Sequence, residues 1–205
     1  MIGFRAWRSG LGGGLLVLLS VALAVLVSAG ALASPAEPRT ASLHGLVELV
    51  ADRLDTADAV AGAKWATAQQ LGTEPSIDDP GREAQVYDDM AHLGAGLDLP
   101  ENWIRQVFSG QIEASKIVQR GLVARWRFDP AAAPAAAPDL SKVRPRIDRL
   151  NVDIVEQLAA QRAELAAPDC VERLAPGVFG VLTSGRADAL HQAALIRAVT
   201  ALCAP

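Results

Sequence analysis

Between Leu43 and Ala61 the apolar residues return at helical spacing, and that period decides most of what the chain can become. Leu43, Leu46, Val47, Val50, Leu54, Ala57 and Ala61 fall on one stripe of an α-helix, which must then face a core. Two cations share the stripe. Arg53 and Lys64 are about three helical turns apart and roughly 20° from alignment, so both project from the same side. An unpaired buried charge costs several kcal/mol, so such a placement needs a reason. Either the long stems carry the charges to the surface into ordinary ion pairs, or a ligand meets them. This stretch alone leaves both readings open.

The rest of the chain keeps the same period. Aromatic residues make up only 4% of the sequence, and no segment alternates with period two between turn signals, which argues against strands. A first helix is expected over Thr40 to Leu71, followed by a polar loop from Gly72 to Asp79. Asp79-Pro80 is an N-cap followed by proline at the first helical position. It opens a second helix to about His92 or Leu93, with Arg82 in its first turn. Gly94 to Leu99 breaks the pattern, and Asp98 with Pro100 starts a third helix to about Arg127. Ile104, Phe108, Val118, Leu122 and Trp126 form its stripe, and Gln111, Ser115 and Gln119 lie on it at i, i+4, i+8. Such a polar row toward a core implies a polar cavity or a water-satisfied network.

DPAAAPAAAP, from Asp129 to Pro138, reads as an extended linker. Asp139 or Ser141 caps a fourth helix, in which Pro145 is tolerable near the start. Ile147, Leu150, Ile154 and Leu158 are its stripe, with Arg144 about one turn before Ile147. A short helix near Cys170 to Leu174, a break at Pro176-Gly177 and a last helix from about Gly185 to Leu202 complete the reading. The fold class is all-α, a helical bundle of about four long helices with short C-terminal ones.

The beginning has another purpose. Arg5 and Arg8 precede an apolar run from Leu15 to Val27, which ends at Ala31-Leu32-Ala33 before Ser34-Pro35. This is the pattern of a secretory signal peptide over residues 1–33, with cleavage after Ala33. The run is short for a membrane span. Residues 34–205 then form a single domain of roughly 170 residues, long enough for one proper core. The formal net charge is −4, and losing Arg5 and Arg8 makes the mature chain more acidic. Nucleic acid and anionic membrane surfaces are therefore poor partners. In an exported chain Cys170 and Cys203 should form a disulfide. In the chain-entropy model that bridge contributes roughly 3–4 kcal/mol.

Familiar catalytic constellations are missing from the sequence. His44, His92 and His191 are scattered without metal-ligand spacing. GLGGG, at Gly10 to Gly14, falls inside the leader, and no GxSxG elbow or phosphate loop exists elsewhere. Arg53, Lys64, Arg82 and Arg144 remain, with Ser115 and Gln119. This set is rich in donors and has no nucleophile, which suits a small molecule with two or more carboxylates.

ADRLDTADAVAGAKW, DDPGREAQV, VFSGQIEASKIVQ and DLSKVRPRIDRLN, in that order, resemble the secreted, all-helical chorismate mutases (AroQ class, gamma subclass). The Cys170 and Cys203 pair matches that subclass, and the resemblance runs from about Leu43 to Pro205. It implies a chorismate mutase II-like bundle in which one chain builds a complete site, usually within a homodimer. It also implies rearrangement of chorismate to prephenate without a cofactor, in a secreted or periplasmic protein. By this resemblance Arg53 and Arg144 hold carboxylates, and Lys64 and Gln119 donate to the ether oxygen. Arg82 lines the pocket, Ser115 helps hold a carboxylate, and Glu83 accepts the ring hydroxyl on the analogy of intracellular members. Secreted members often carry Glu where Gln119 stands and Gln where Val86 stands. The loop before Asp79 is also longer than in some relatives. The competing class is a secreted helical binding protein derived from a mutase fold.

Overall fold

The computed structural model describes residues 42–205. The expected signal peptide and residues Thr40 and Ala41 lie outside them. Among the described residues are eight α-helices: α1 Leu43–Leu54, α2 Ala57–Leu71, α3 Pro80–Ala95, α4 Glu101–Phe128, α5 Leu140–Ala160, α6 Arg162–Leu165, α7 Cys170–Thr183 and α8 Ala189–Val199. No strand occurs among them.

The α4 helix, about 42 Å long at 1.5 Å per residue, is the spine. It packs against α2, α3 and α8, while α1 packs against α5, α7 and α8. Trp103, Ile104 and Phe108 of α4 are fully buried with Leu46 and Leu49 of α1 and Ile154 and Leu158 of α5. Leu46, Ile104, Phe108, Ile154 and Leu158 are expected stripe residues, while Leu49 and Trp103 widen the buried faces beyond the expected stripes.

Several boundaries differ from the sequence expectation. The first long helix is two helices, interrupted at Asp55 and Thr56. The Thr56 hydroxyl donates to the Arg53 carbonyl at 2.6 Å, and the Thr56 amide turns to the same carbonyl at 3.2 Å. A threonine that bonds back competes with the helical ladder and bends it. Backbone angles at both residues stay right-handed helical. The hydrogen-bond ladder is therefore interrupted while the angular register largely persists.

Asp98 does not start α4. It takes a left-handed φ of 56°, which aspartate tolerates better than most residues, and Pro100 occupies the N-cap position instead. The linker after α4 begins with a 3-10 turn over Pro130–Ala132. Farther along, Pro134 and Pro138 lie against Gly62 so closely that a β-carbon there would meet their rings at 3.0–3.1 Å.

Pro176-Gly177 is not a break. Helix α7 runs through it, because Pro176 is on the exposed side and Gly177 lies against the backbone of His44, at 3.2 Å from an added β-carbon. Packing on α1 there outweighs the missing amide. The last helix is correspondingly shorter than expected and starts at an Asp188 cap, whose carboxylate accepts from the His191 amide.

The C-terminal segment is tied down several times. Cys170 and Cys203 are disulfide-bonded. The Trp103 indole donates to the Leu202 carbonyl at 2.9 Å, and Gln106 donates to the carbonyls of Ala201 and Cys203.

Candidate active site

A cleft of about 140 Å³ opens between α1, α2, α3, α4 and α5. Its wall contains Arg53, Lys64, Arg82, Glu83, Ser115, Gln119 and Arg144, so all seven residues singled out in the sequence converge there. They come from five helices. Val60, Ile77, Val86, Ile112, Leu140 and Ile147 supply an apolar remainder suited to a carbon ring.

Arg53 is held most firmly. It is 5% exposed, its Nε donates to Asn151 Oδ1 at 2.7 Å, and one Nη donates to the Gln111 carbonyl at 3.1 Å. The other Nη makes no hydrogen bond or ion pair among the described residues. Burial chiefly, with Arg82 nearby and only Asp148 opposing, lowers its pKa to about 10. An arginine in that state is charged at neutral pH and gains from an anionic partner.

Lys64 donates to the Ile77 carbonyl, leaving two N–H donors for a ligand. Burial pulls its pKa down, and Lys116 adds to that effect against Asp79, Asp78 and Glu83. Arg82 is committed to Asp148 at 2.5 Å and to Gln85 at 2.7 Å. Arg144 makes no ion pair or hydrogen bond among the described residues, although it lines the cleft. Gln119 is 5% exposed, and its Oε1 is a buried acceptor without a partner. An unsatisfied buried amide costs free energy unless something else completes it.

The polar row on α4 divides. Ser115 and Gln119 face the cleft, but Gln111 points to α8 and reaches the Ala198 carbonyl at 3.5 Å. Its main-chain carbonyl still serves the site by holding Arg53.

Lys116 is the residue that sequence reasoning missed. It lines the cleft at 8% exposure, with Nζ 2.9 Å from Glu83, 3.0 Å from Glu113 and 3.1 Å from Asp78. Burial opposes its charge, but those carboxylates outweigh it and hold its pKa well above the ordinary lysine value. Its sequence signal is its position four residues after Ile112 and three before Gln119, which places it on the edge of the pocket stripe. Glu83 is correspondingly occupied, since its other oxygen accepts from the Asp79 amide at 3.2 Å.

The chain is 37% identical to a secreted chorismate mutase of Mycolicibacterium smegmatis, over 91% of this chain and 99% of that one. The chain belongs to the secreted chorismate mutase family. A secreted chorismate mutase of Mycobacterium tuberculosis is 32% identical over 90% of this chain and 91% of its own. The family model for chorismate mutase type II matches residues 44–120. That match spans six of the seven pocket residues and stops before Arg144. Among solved structures, a chorismate mutase from Burkholderia thailandensis superposes with a TM-score of 0.72 at 34% identity, covering 78% of this chain and 98% of that one. The all-helical architecture of this chorismate mutase family member is thus shared with a solved relative.

Proposed function

We propose that the chain rearranges chorismate to prephenate in the cleft between α1 and α5. Chorismate carries two carboxylates and an ether. In the rearrangement the ether C–O bond breaks as a C–C bond forms within the same molecule, so no group leaves and no covalent intermediate is needed. Negative charge develops on the ether oxygen. The unpartnered Nη of Arg53 and the free guanidinium of Arg144 grip the carboxylates and select the compact reactive conformer, an orientation effect. Lys64 and Gln119 donate to the ether oxygen where charge grows, which is electrostatic stabilisation by preorganised donors. Ser115 assists with a carboxylate, Arg82 adds positive potential, and Glu83 accepts the ring hydroxyl.

The observation that carries this reading is the surplus of donors in the cleft. Among the described residues Arg144 has no partner, Arg53 keeps one nitrogen unbonded, and Lys64 donates only to a main-chain carbonyl that it can leave to meet a ligand. Because Gln119 replaces a glutamate common among secreted members, the donor there needs no proton from solvent. Val86 closes its quarter of the pocket by apolar contact alone.

The protein is secreted, as its named relatives are. We assign export to a signal peptide over residues 1–33, leaving a single domain over 34–205 of the gamma subclass. A homodimer is the expected assembly, to be measured by sedimentation equilibrium. The function itself is tested by incubating purified protein with chorismate and following loss of the diene absorbance together with formation of prephenate. A protein that only binds would leave chorismate unchanged.

A further inference from the structure

Lys116 is a buried lysine in the wall of the cleft that no part of the proposed chemistry uses. A lysine ammonium has three N–H donors. Here three carboxylates occupy it, those of Glu83, Glu113 and Asp78, all within 3.1 Å. No donor remains for a ligand. Lys116 therefore differs in kind from Lys64, whose only partner among the described residues is the Ile77 carbonyl.

The three carboxylates come from three segments around the cleft, and Glu83 alone lines it. Glu83 is in the first turn of α3, Asp78 lies in the loop that carries Ile77 and Asp79 to the cleft, and Glu113 is on α4 itself. Lys116 thus fastens α3 and the loop to the spine at the point where they wall the site. Arg120 adds a second hold on Asp78 at 3.0 Å but does not reach Glu83. Glu83, whose side chain is only 21% exposed, depends on Lys116 for its charge partner and on the Asp79 amide for its direction.

We propose that Lys116 is a positioning residue that acts through Glu83, cancelling its charge toward a dianionic substrate and fixing its carboxylate for the substrate hydroxyl. Without the ammonium, the Glu83 carboxylate would face a pocket built for a dianion with no cation to offset it, and Asp78 and Glu113 beside it would add to the negative potential. Glu83 would keep only the single Asp79 amide bond to hold its carboxylate in place. Both effects weaken binding of substrate and transition state alike, which raises KM and leaves kcat nearly unchanged.

This inference rests on chorismate being the ligand of the cleft, and its test separates the two. Wild type, Lys116→Met, Lys116→Arg, Glu83→Gln and the Lys116→Met/Glu83→Gln pair are assayed with chorismate, with folding checked by circular dichroism. Lys116→Met should raise KM roughly tenfold, the scale of one unit charge several ångströms from a dianion at intermediate dielectric. Its kcat should stay within about threefold of wild type, because no contact made only in the transition state is removed. Lys116→Arg should restore most of the affinity. In the Glu83→Gln background the same Lys116→Met change should raise KM by a much smaller factor, because its main partner is gone. If Lys116→Met does not fold, Lys116→Gln, which keeps two donors without the charge, takes its place. An unchanged KM, an equal KM effect in both backgrounds, or a fall in kcat at constant KM would overturn the proposal. Wild type that leaves chorismate untouched would overturn the functional reading first, and this one with it.

Discussion

Gln119 holds the clearest residue-scale test, because its buried amide makes no hydrogen bond among the described residues and its NH2 is left to donate. An amide donates at any pH, so catalysis should be nearly flat from mildly acid to neutral. A carboxyl introduced by Gln119→Glu must be protonated to donate. Lys64, on the same wall, favours the ionised form, while burial opposes it. That variant should be active mainly in acid and fade toward neutral pH, as a pH–rate profile with chorismate will record. Full, pH-independent turnover at neutral pH would separate Gln119 from the ether oxygen. Arg144 offers a second test, since it has no hydrogen-bond or ion-pair partner among the described residues to lose. Arg144→Ala should raise KM at least tenfold through loss of a charged contact, with little change in Tm. The seven pocket residues could be read from the sequence because each sits on a helical stripe or in a motif of the family. Lys116 could not, because a lysine beside a stripe looks like an ordinary surface charge. Only the folded chain brings Asp78 and Glu83 to it.

Elements were legible where the period was long and clean, as in α4, and illegible where one side chain or one packing contact decided the outcome. Thr56 interrupts the first helix by bonding back to Arg53, and Gly177 carries α7 through a proline by lying against α1. The C-terminal elements carry two stability predictions. Replacing Cys170 and Cys203 by serine should lower Tm, on the scale of roughly 3–4 kcal/mol for a loop of this length. Activity should remain measurable at room temperature, because the residues lining the cleft end at Ile147. Loss of activity in a protein that stays folded would place the C-terminal segment in the site. His191 joins α8 to α2 by touching Asp188 at 2.7 Å and Asp58 at 2.9 Å. Burial opposes its charge, but the two carboxylates prevail and raise its pKa. A raised pKa stabilises the fold most below the unfolded value of about 6.5, and that contribution is lost as pH rises through the folded value. His191→Asn should therefore lower Tm more at pH 5.5 than at pH 9. An equal loss at both would mean that the imidazole acts by packing alone.

The whole molecule is an arrangement for holding cations from different helices around one small cleft at tolerable cost. Arg53 is offset by Asn151 and the Gln111 carbonyl, Arg82 by Asp148, and Lys116 by three acids. Arg144 lines the cleft without a partner among the described residues, and Lys64 donates there to the Ile77 carbonyl. The bundle was readable from composition and period, and the site from spacing together with family resemblance. How the charges are divided between support and ligand became visible only in three dimensions. The central claim is that this cleft rearranges chorismate through donors at the ether oxygen. It is tested most directly by chorismate turnover in wild type and in Lys64→Ala, measured side by side with a folding control. Wild type should convert chorismate to prephenate, and the folded variant should turn over roughly 100-fold more slowly or worse, the scale for one preorganised donor at developing charge. Equal turnover by the two folded proteins would contradict the account.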